Sequence, residues 1–233
     1  MLQPTARRWV MFLLVFVGGT TQAHALGLDD LSNKDAVGGL KAALTQAADT
    51  AVAELGVTNG FFDNAKVKIP LPDTLKKAEK AMRTFGMGNQ ADELVLRMNR
   101  AAEAAVPEAK TLLTDAVKNM SVQDAKDILT GGEDAATQYF RKTTSGPMAQ
   151  KFLPIVKKAT EDVQLAQEYN QFAEAGAKFG LVKKDQASLE QYVTQKTLDG
   201  VYTMMAEEEK AIRKDPMGQA SSLIKKVFGA IGN

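Results

Sequence analysis

Two stretches of this chain hold residue types able to do chemistry: the acidic run Glu207-Glu208-Glu209, and the segment that carries Asn99, Arg100 and Glu103. On a helix advancing about 100° per residue, Val201, Met204, Met205 and Ile212 form one apolar face. Glu208 falls in the middle of that face, with Glu207 and Glu209 flanking it. A carboxylate placed there needs a partner or a raised pKa. It is either half of a buried ion pair or a candidate general acid or base. Earlier in the chain, Leu94, Val95, Met98, Ala102 and Ala105 mark a second apolar face. Asn99 lies at its edge, Glu103 one turn on and Arg100 beside them, so an amide, a carboxylate and a guanidinium come together. Arg100 or Arg141 is the expected partner of Glu208. This set reads either as a satisfied polar network that fixes helix register, or as a ligand site. In the second case Glu208 and Glu103 exchange protons while arginine holds an anionic substrate. No catalytic residue is assigned.

The rest of the composition narrows the chemistry. The 233 residues include no Cys, one His and one Trp. Both His24 and Trp9 lie in the first 25 residues, which read as a secretory leader. Arg7 and Arg8 form its positive start, Trp9 to Val17 its apolar run, and Ala23-His24-Ala25 a small-residue cleavage site. The apolar run is shorter than the roughly 20 residues that span a bilayer. Cleavage after Ala25 would leave a chain without Cys, His or Trp and with no transmembrane segment.

Such a chain has no thiol nucleophile, no Ser-His-Asp triad and no Cys or His zinc site. Oxygen-only sites for Ca2+ or Mg2+ stay open in principle, but no D-x-D-x-D-G loop occurs, so no metal and no cofactor is expected. Nucleic acid is not an expected partner either. The net charge is only +1, the lysines and arginines are dispersed, and the address is outside the cytoplasm. Gly86-Met-Gly88-Asn-Gln-Ala91 imitates a dinucleotide fingerprint, but a helix precedes it and Asp92-Glu93 follows, so it reads as a helix end.

Nearly every segment that must position these residues reads as helix. Val37, Leu40, Leu44, Ala47, Ala48, Ala51 and Leu55 give one stripe of 3.6-residue period, ending at Gly56. Pro70 and Pro72 exclude helix from the segment that follows, where Val67-Lys68-Ile69 suggests an edge strand pairing with Leu181-Val182. Asp73 caps a helix from Thr74 to Phe85. Another runs from about Ala91 to Val106, with Pro107 restarting or kinking it toward Asn119. Ser121 and Asp124 form a capping box. A helix from Glu133 to Thr143 is expected to break at Ser145-Gly146-Pro147 before a long helix to about Phe179. Ser188 opens the helix that carries the acidic run. The expected fold is all-α: a single domain of about seven or eight helices spanning residues 26–233, with at most the two-stranded patch.

The final segment, about Gly218 to Ala230, places Leu223, Ile224, Val227, Phe228 and Ile231 on one face, with Lys225 and Lys226 beside it. That pattern suits a helix docked on the core, one seated in a partner's groove, or one lying on a membrane surface.

Several uncommon strings occur in one order: KIPLP (Lys68 to Pro72), MNRAAEAAVPEAK (Met98 to Lys110), DAKDILTGGEDAATQYFR (Asp124 to Arg141), YVTQKTLDGVY (Tyr192 to Tyr202) and AEEEKAIRKDP (Ala206 to Pro216). In these the chain resembles DUF4197, a bacterial domain family of unknown function, over roughly Leu31 to Phe228. The resemblance implies a mostly helical, secreted or periplasmic protein of Gram-negative bacteria. It brings no activity, substrate or catalytic residue. The expected role is a non-catalytic periplasmic binding or structural protein with a protein or small-molecule partner in the envelope. The alternatives are a carboxylate-dependent hydrolase or lyase acting on an anionic substrate, and a protein held at the membrane surface by its last helix.

Overall fold

Cap residues and apolar spacing divide the chain into helices much as its sequence suggests. The computed structural model describes residues 33–86, 88–178 and 188–231. These form α1 (Asn33–Leu55), α2 (Asp73–Thr84), α3 (Gly88–Ala105), α4 (Ala109–Asn119), α5 (Val122–Thr130), α6 (Ala135–Thr160), α7 (Gln164–Lys178), α8 (Leu189–Lys214) and α9 (Ser222–Ile231). A 3-10 turn at Val106–Glu108 links α3 to α4, with Pro107 at its start, where a missing N–H does no harm. Ser121 and Asp124 close a complete capping box on α5, and the Ser121 hydroxyl and N–H hold the Asp124 carboxyl below its ordinary pKa. The fold is all-α, and no strand occurs among the described residues.

Two expectations about segments need correction. Val67-Lys68-Ile69 is not a strand: Val67 sits in a turn, its N–H bonded to the Asn64 carbonyl. Leu181 and Val182 lie outside the described residues. Nor does the chain break at Ser145-Gly146-Pro147, because α6 runs through it unbroken. Phe140, Thr144, Met148, Phe152, Val156 and Thr160 recur at every fourth position and are all buried. Pro147 and Pro154 sit off that stripe and face solvent. Burial of several large side chains, each worth about 1.5–3 kcal/mol, outweighs the roughly 3 kcal/mol that an interior proline costs. The real break is at Glu161-Asp162-Val163, where neither Gly nor Pro marks it.

α6 and α8 are the longest helices and form the centre, packing on each other. α3 lies against α6 and α8, while α1 packs on α4, α8 and α9. The α1–α9 seam is very close at Gly39. A Cβ there would run into the Val227 side chain and sit 2.7 Å from the Leu223 carbonyl oxygen. Its neighbour Gly38 has open space instead. The two therefore form a matched test. Gly38→Ala should raise stability by up to about 1 kcal/mol through helix propensity. Gly39→Ala should lower it by about 1–3 kcal/mol through overpacking. Thermal unfolding followed by circular dichroism reads both, and equal shifts for the two variants would refute the seam.

Candidate functional site

Residues 56–72 lie between α1 and α2 and form no regular element, so their backbone groups must find partners elsewhere. Some bond within the segment: the Lys68 and Val67 N–H groups both donate to the Asn64 carbonyl. Asn59 takes the left-handed conformation at φ 71°, which Asn tolerates better than most residues. Phe61, Val67 and Ile69 point inward and are buried, and Leu71 is buried as well. The Phe61 ring lies against Gly200 of α8, where a Cβ would come within 2.6 Å of it.

Three buried side chains bind further backbone groups of the segment. Asn99 on α3 accepts from the Ile69 N–H at 2.8 Å and donates to the Ile69 carbonyl at 2.9 Å. A neighbouring strand would satisfy Ile69 in the same way. Ile69 is thus paired through both its backbone groups as a strand residue would be, but by an amide side chain. Glu103, one turn further along α3, accepts from the Phe61 and Phe62 N–H groups through Oε1, both at 3.1 Å. Its Oε2 accepts from Arg100 at 2.6 Å, and Arg100 also donates to the Asn59 side chain. Tyr192 of α8 donates its hydroxyl to the Pro70 carbonyl at 3.0 Å.

Asn99, Arg100 and Glu103 therefore do come together, and their common object is the backbone of this loop. Arg141 and Glu208 do not join them. Arg141 pairs with Asp199 at 3.1 Å, with its guanidinium 4.7 Å from the centre of the Tyr202 ring. Glu208 is only half-buried and accepts from Gln46 at 3.0 Å, and among the described residues no arginine pairs with it.

The buried carboxylate of the acidic run is Glu209, which sequence reasoning placed on the flank. The error came from choosing the face by Met204, which is half-buried, and omitting Tyr202, which is buried. Tyr202, Met205, Glu209 and Ile212 follow the helical spacing of the true face. Glu209 accepts from the Ala136 and Thr137 N–H groups at 3.0 and 2.9 Å and from the Thr137 hydroxyl at 2.9 Å. It thereby caps α6, whose own N-cap residue, Asp134, makes no such bond. Arg213 completes the group, donating to Glu209 at 2.9 Å and to the Ile128 carbonyl at 3.0 Å.

In α9, Ile224, Val227 and Phe228 are buried in the core, and Leu223 is exposed. The Ile231 side chain lies outside the described residues. Among the described residues no group of three His, Cys, Asp or Glu side chains is placed to hold a metal ion. No described helix is long and apolar enough to cross a membrane.

On its outer side the loop forms one wall of a groove against α2 and α3, about 480 Å3 in volume. Phe62, Pro70, Leu71 and Val95 supply its apolar surface, and Lys68, Lys76 and Arg83 its basic rim, with Glu79 and Asp92 among them.

A family model described as a protein of unknown function (DUF4197) matches residues 30–229. The chain belongs to the DUF4197 family. No curated protein and no solved structure matches it. The DUF4197 match spans the loop, its three anchoring side chains and the Glu209–Arg213 pair.

The tyrosine anchor gives this DUF4197 protein a pH dependence. Burial, and then the nearby Asp73 charge, push the Tyr192 hydroxyl well above its ordinary value; burial raises that of Tyr202 as well. The fold favours the neutral phenol. The stability that each contributes is therefore complete below the unfolded pKa of about 10 and is lost as pH rises through the higher folded value. Base-induced unfolding should set in above about pH 10, together with a late, cooperative rise in tyrosinate absorbance. Tyr192→Phe should lower stability at neutral pH by about 1 kcal/mol and make the alkaline loss less steep. An unchanged alkaline profile would remove Tyr192 as the titrating anchor.

Proposed function

We propose that this chain is an exported, non-catalytic binding protein of the cell envelope, and that loop 56–72 is its recognition surface. One observation carries the reading: Asn99, Glu103 and Tyr192, all at most 5% exposed, are committed to the backbone of a loop that belongs to no helix. Long loops without regular structure are uncommon in compact domains, and those held in one shape are usually functional. The enzyme alternative loses support on the same geometry. Both Glu103 oxygens are occupied, and neither Arg141 nor Glu208 approaches it. The membrane-surface alternative loses support because Ile224, Val227 and Phe228 are buried and α9 packs on α1.

Photo-cross-linking in cells tests this reading. Cross-linkers at the exposed loop positions Asp63 and Lys66 should capture a defined product, while ones at Lys151 and Lys157 on α6 should not. Equal labelling at all four positions would refute it. Export rests on the leader pattern, with Arg7-Arg8, the apolar run and Ala23-His24-Ala25 pointing to a periplasmic address. Fractionation should find the protein in the periplasm without tryptophan emission, since Trp9 would leave with the leader. A tryptophan signal in that fraction would mean the leader is retained.

A further inference from the structure

The groove beside the loop presents side chains from the loop, α2 and α3. We infer that this groove binds a small anionic amphiphile, a single acyl chain ending in a carboxylate, with Lys68 holding the head group. The inference deepens the recognition reading and rests on it for the fixed shape of the loop.

Charge balance around the rim selects the head group. Arg83 is neutralised twice, by Glu79 at 2.8 Å and by Asp92 at 2.5 Å. Lys76 has Asp73 at 3.1 Å. Lys68 differs from both. Its ammonium stands 4.0 Å from the centre of the Phe62 ring and has no carboxylate partner among the described residues. A cation held over an aromatic face keeps its charge and its outward N–H donors. It can therefore accept an anion without first breaking an ion pair. A cationic head in the same place would meet uncompensated repulsion.

The surface selects the tail. Phe62, Pro70, Leu71 and Val95 line a volume of about 480 Å3. That lies within the size range of small-molecule sites, and the charged side chains stand around this apolar strip. One turn of an α-helix about 10 Å across already fills on the order of 400 Å3, so a helical peptide would not lie down in the groove. Preorganisation favours a small ligand too. The backbone on either side of Lys68 is pinned, at Phe62 by Glu103 and at Ile69 by Asn99, so binding need not order the loop.

The test is an amide chemical-shift titration of the mature protein with decanoate below its micelle concentration, beside acetate and decyltrimethylammonium. Decanoate should saturate, with shifts centred on Phe62, Lys68, Leu71 and Val95. Acetate should not saturate, and the cationic amphiphile should bind at least ten-fold more weakly. Lys68→Gln, an exposed substitution that leaves the fold intact, should weaken decanoate at least ten-fold, and Lys68→Glu further. Lys225→Gln on α9 should have no effect. The inference is overturned if decanoate binds no better than acetate, if its shifts centre elsewhere, or if Lys68→Gln binds as wild type does. A flat titration alongside loop-specific cross-linking removes the amphiphile and leaves the recognition loop standing. A flat titration with evenly spread cross-linking removes both.

Discussion

Replacing Glu209 with alanine should lower the melting temperature by about 10 °C, at roughly 2–4 °C per kcal/mol for a chain of this size. The Glu209 side chain is 6% exposed and that of Arg213 15% exposed. Removing one partner of a buried ion pair costs about 3–5 kcal/mol, because the other charge stays behind without compensation. The Ala136 and Thr137 N–H groups would also lose their acceptor at the positive end of α6. Glu209→Gln should fall between wild type and alanine, since it keeps an acceptor but loses the charge. The double variant with Arg213→Ala should be less destabilised than the two single effects summed, because it removes both charges together. A shift of less than roughly 2 °C for Glu209→Ala would show that the pair does not secure α6. The same substitution at Glu208, half-buried and accepting from Gln46, should matter far less.

The second large effect is local in character. Glu103→Ala would strand the Phe61 and Phe62 N–H groups and leave the Arg100 guanidinium without its carboxylate. We expect about 3 kcal/mol of lost stability, from unsatisfied buried donors and an unpaired charge. Hydrogen exchange distinguishes this variant from Glu209→Ala. Loss of Glu103 should speed exchange at Phe61, Phe62 and Ile69 while leaving Ala136 and Thr137 protected, and loss of Glu209 should do the reverse. Undiminished protection at Phe61 and Phe62 would refute the anchoring role of Glu103. If the loop is the recognition surface, Glu103→Ala should also abolish cross-linking from Asp63 and Lys66, although neither residue is altered.

What could be read from the amino-acid string follows from the range of the forces involved. Ser121 with Asp124, Pro107 and Ser188 act within one helical turn, and each forms the structure its type implies. Asn99, Arg100 and Glu103 share one short stretch of helix, so their clustering was legible too. What they hold was not, because their partners lie 30 to 42 positions away. The unbroken passage of α6 through Pro147 depends on burial against α3 and α8, a tertiary effect that overrides local propensity. Choosing Glu208 over Glu209 was an error of one residue on a helical wheel. It decided which carboxylate is buried, and Arg213, four residues on and within reach on the same helix, went unnoticed as its partner.

α8 does two distant jobs: Glu209 caps α6 from 72 positions away, and Tyr192 holds Pro70 from 122 positions away. A chain made from its N-terminus therefore has its first loop and central helix synthesised long before either fastening exists. Until residues beyond Leu189 arrive, the start of α6 is uncapped and the loop has no slot for Phe61 at Gly200. Native structure should consequently appear in one late step, more slowly than the local contacts of a simple helical bundle would allow. Fragments ending before α8 should stay open to proteases along their whole length, rather than yielding a folded N-terminal half.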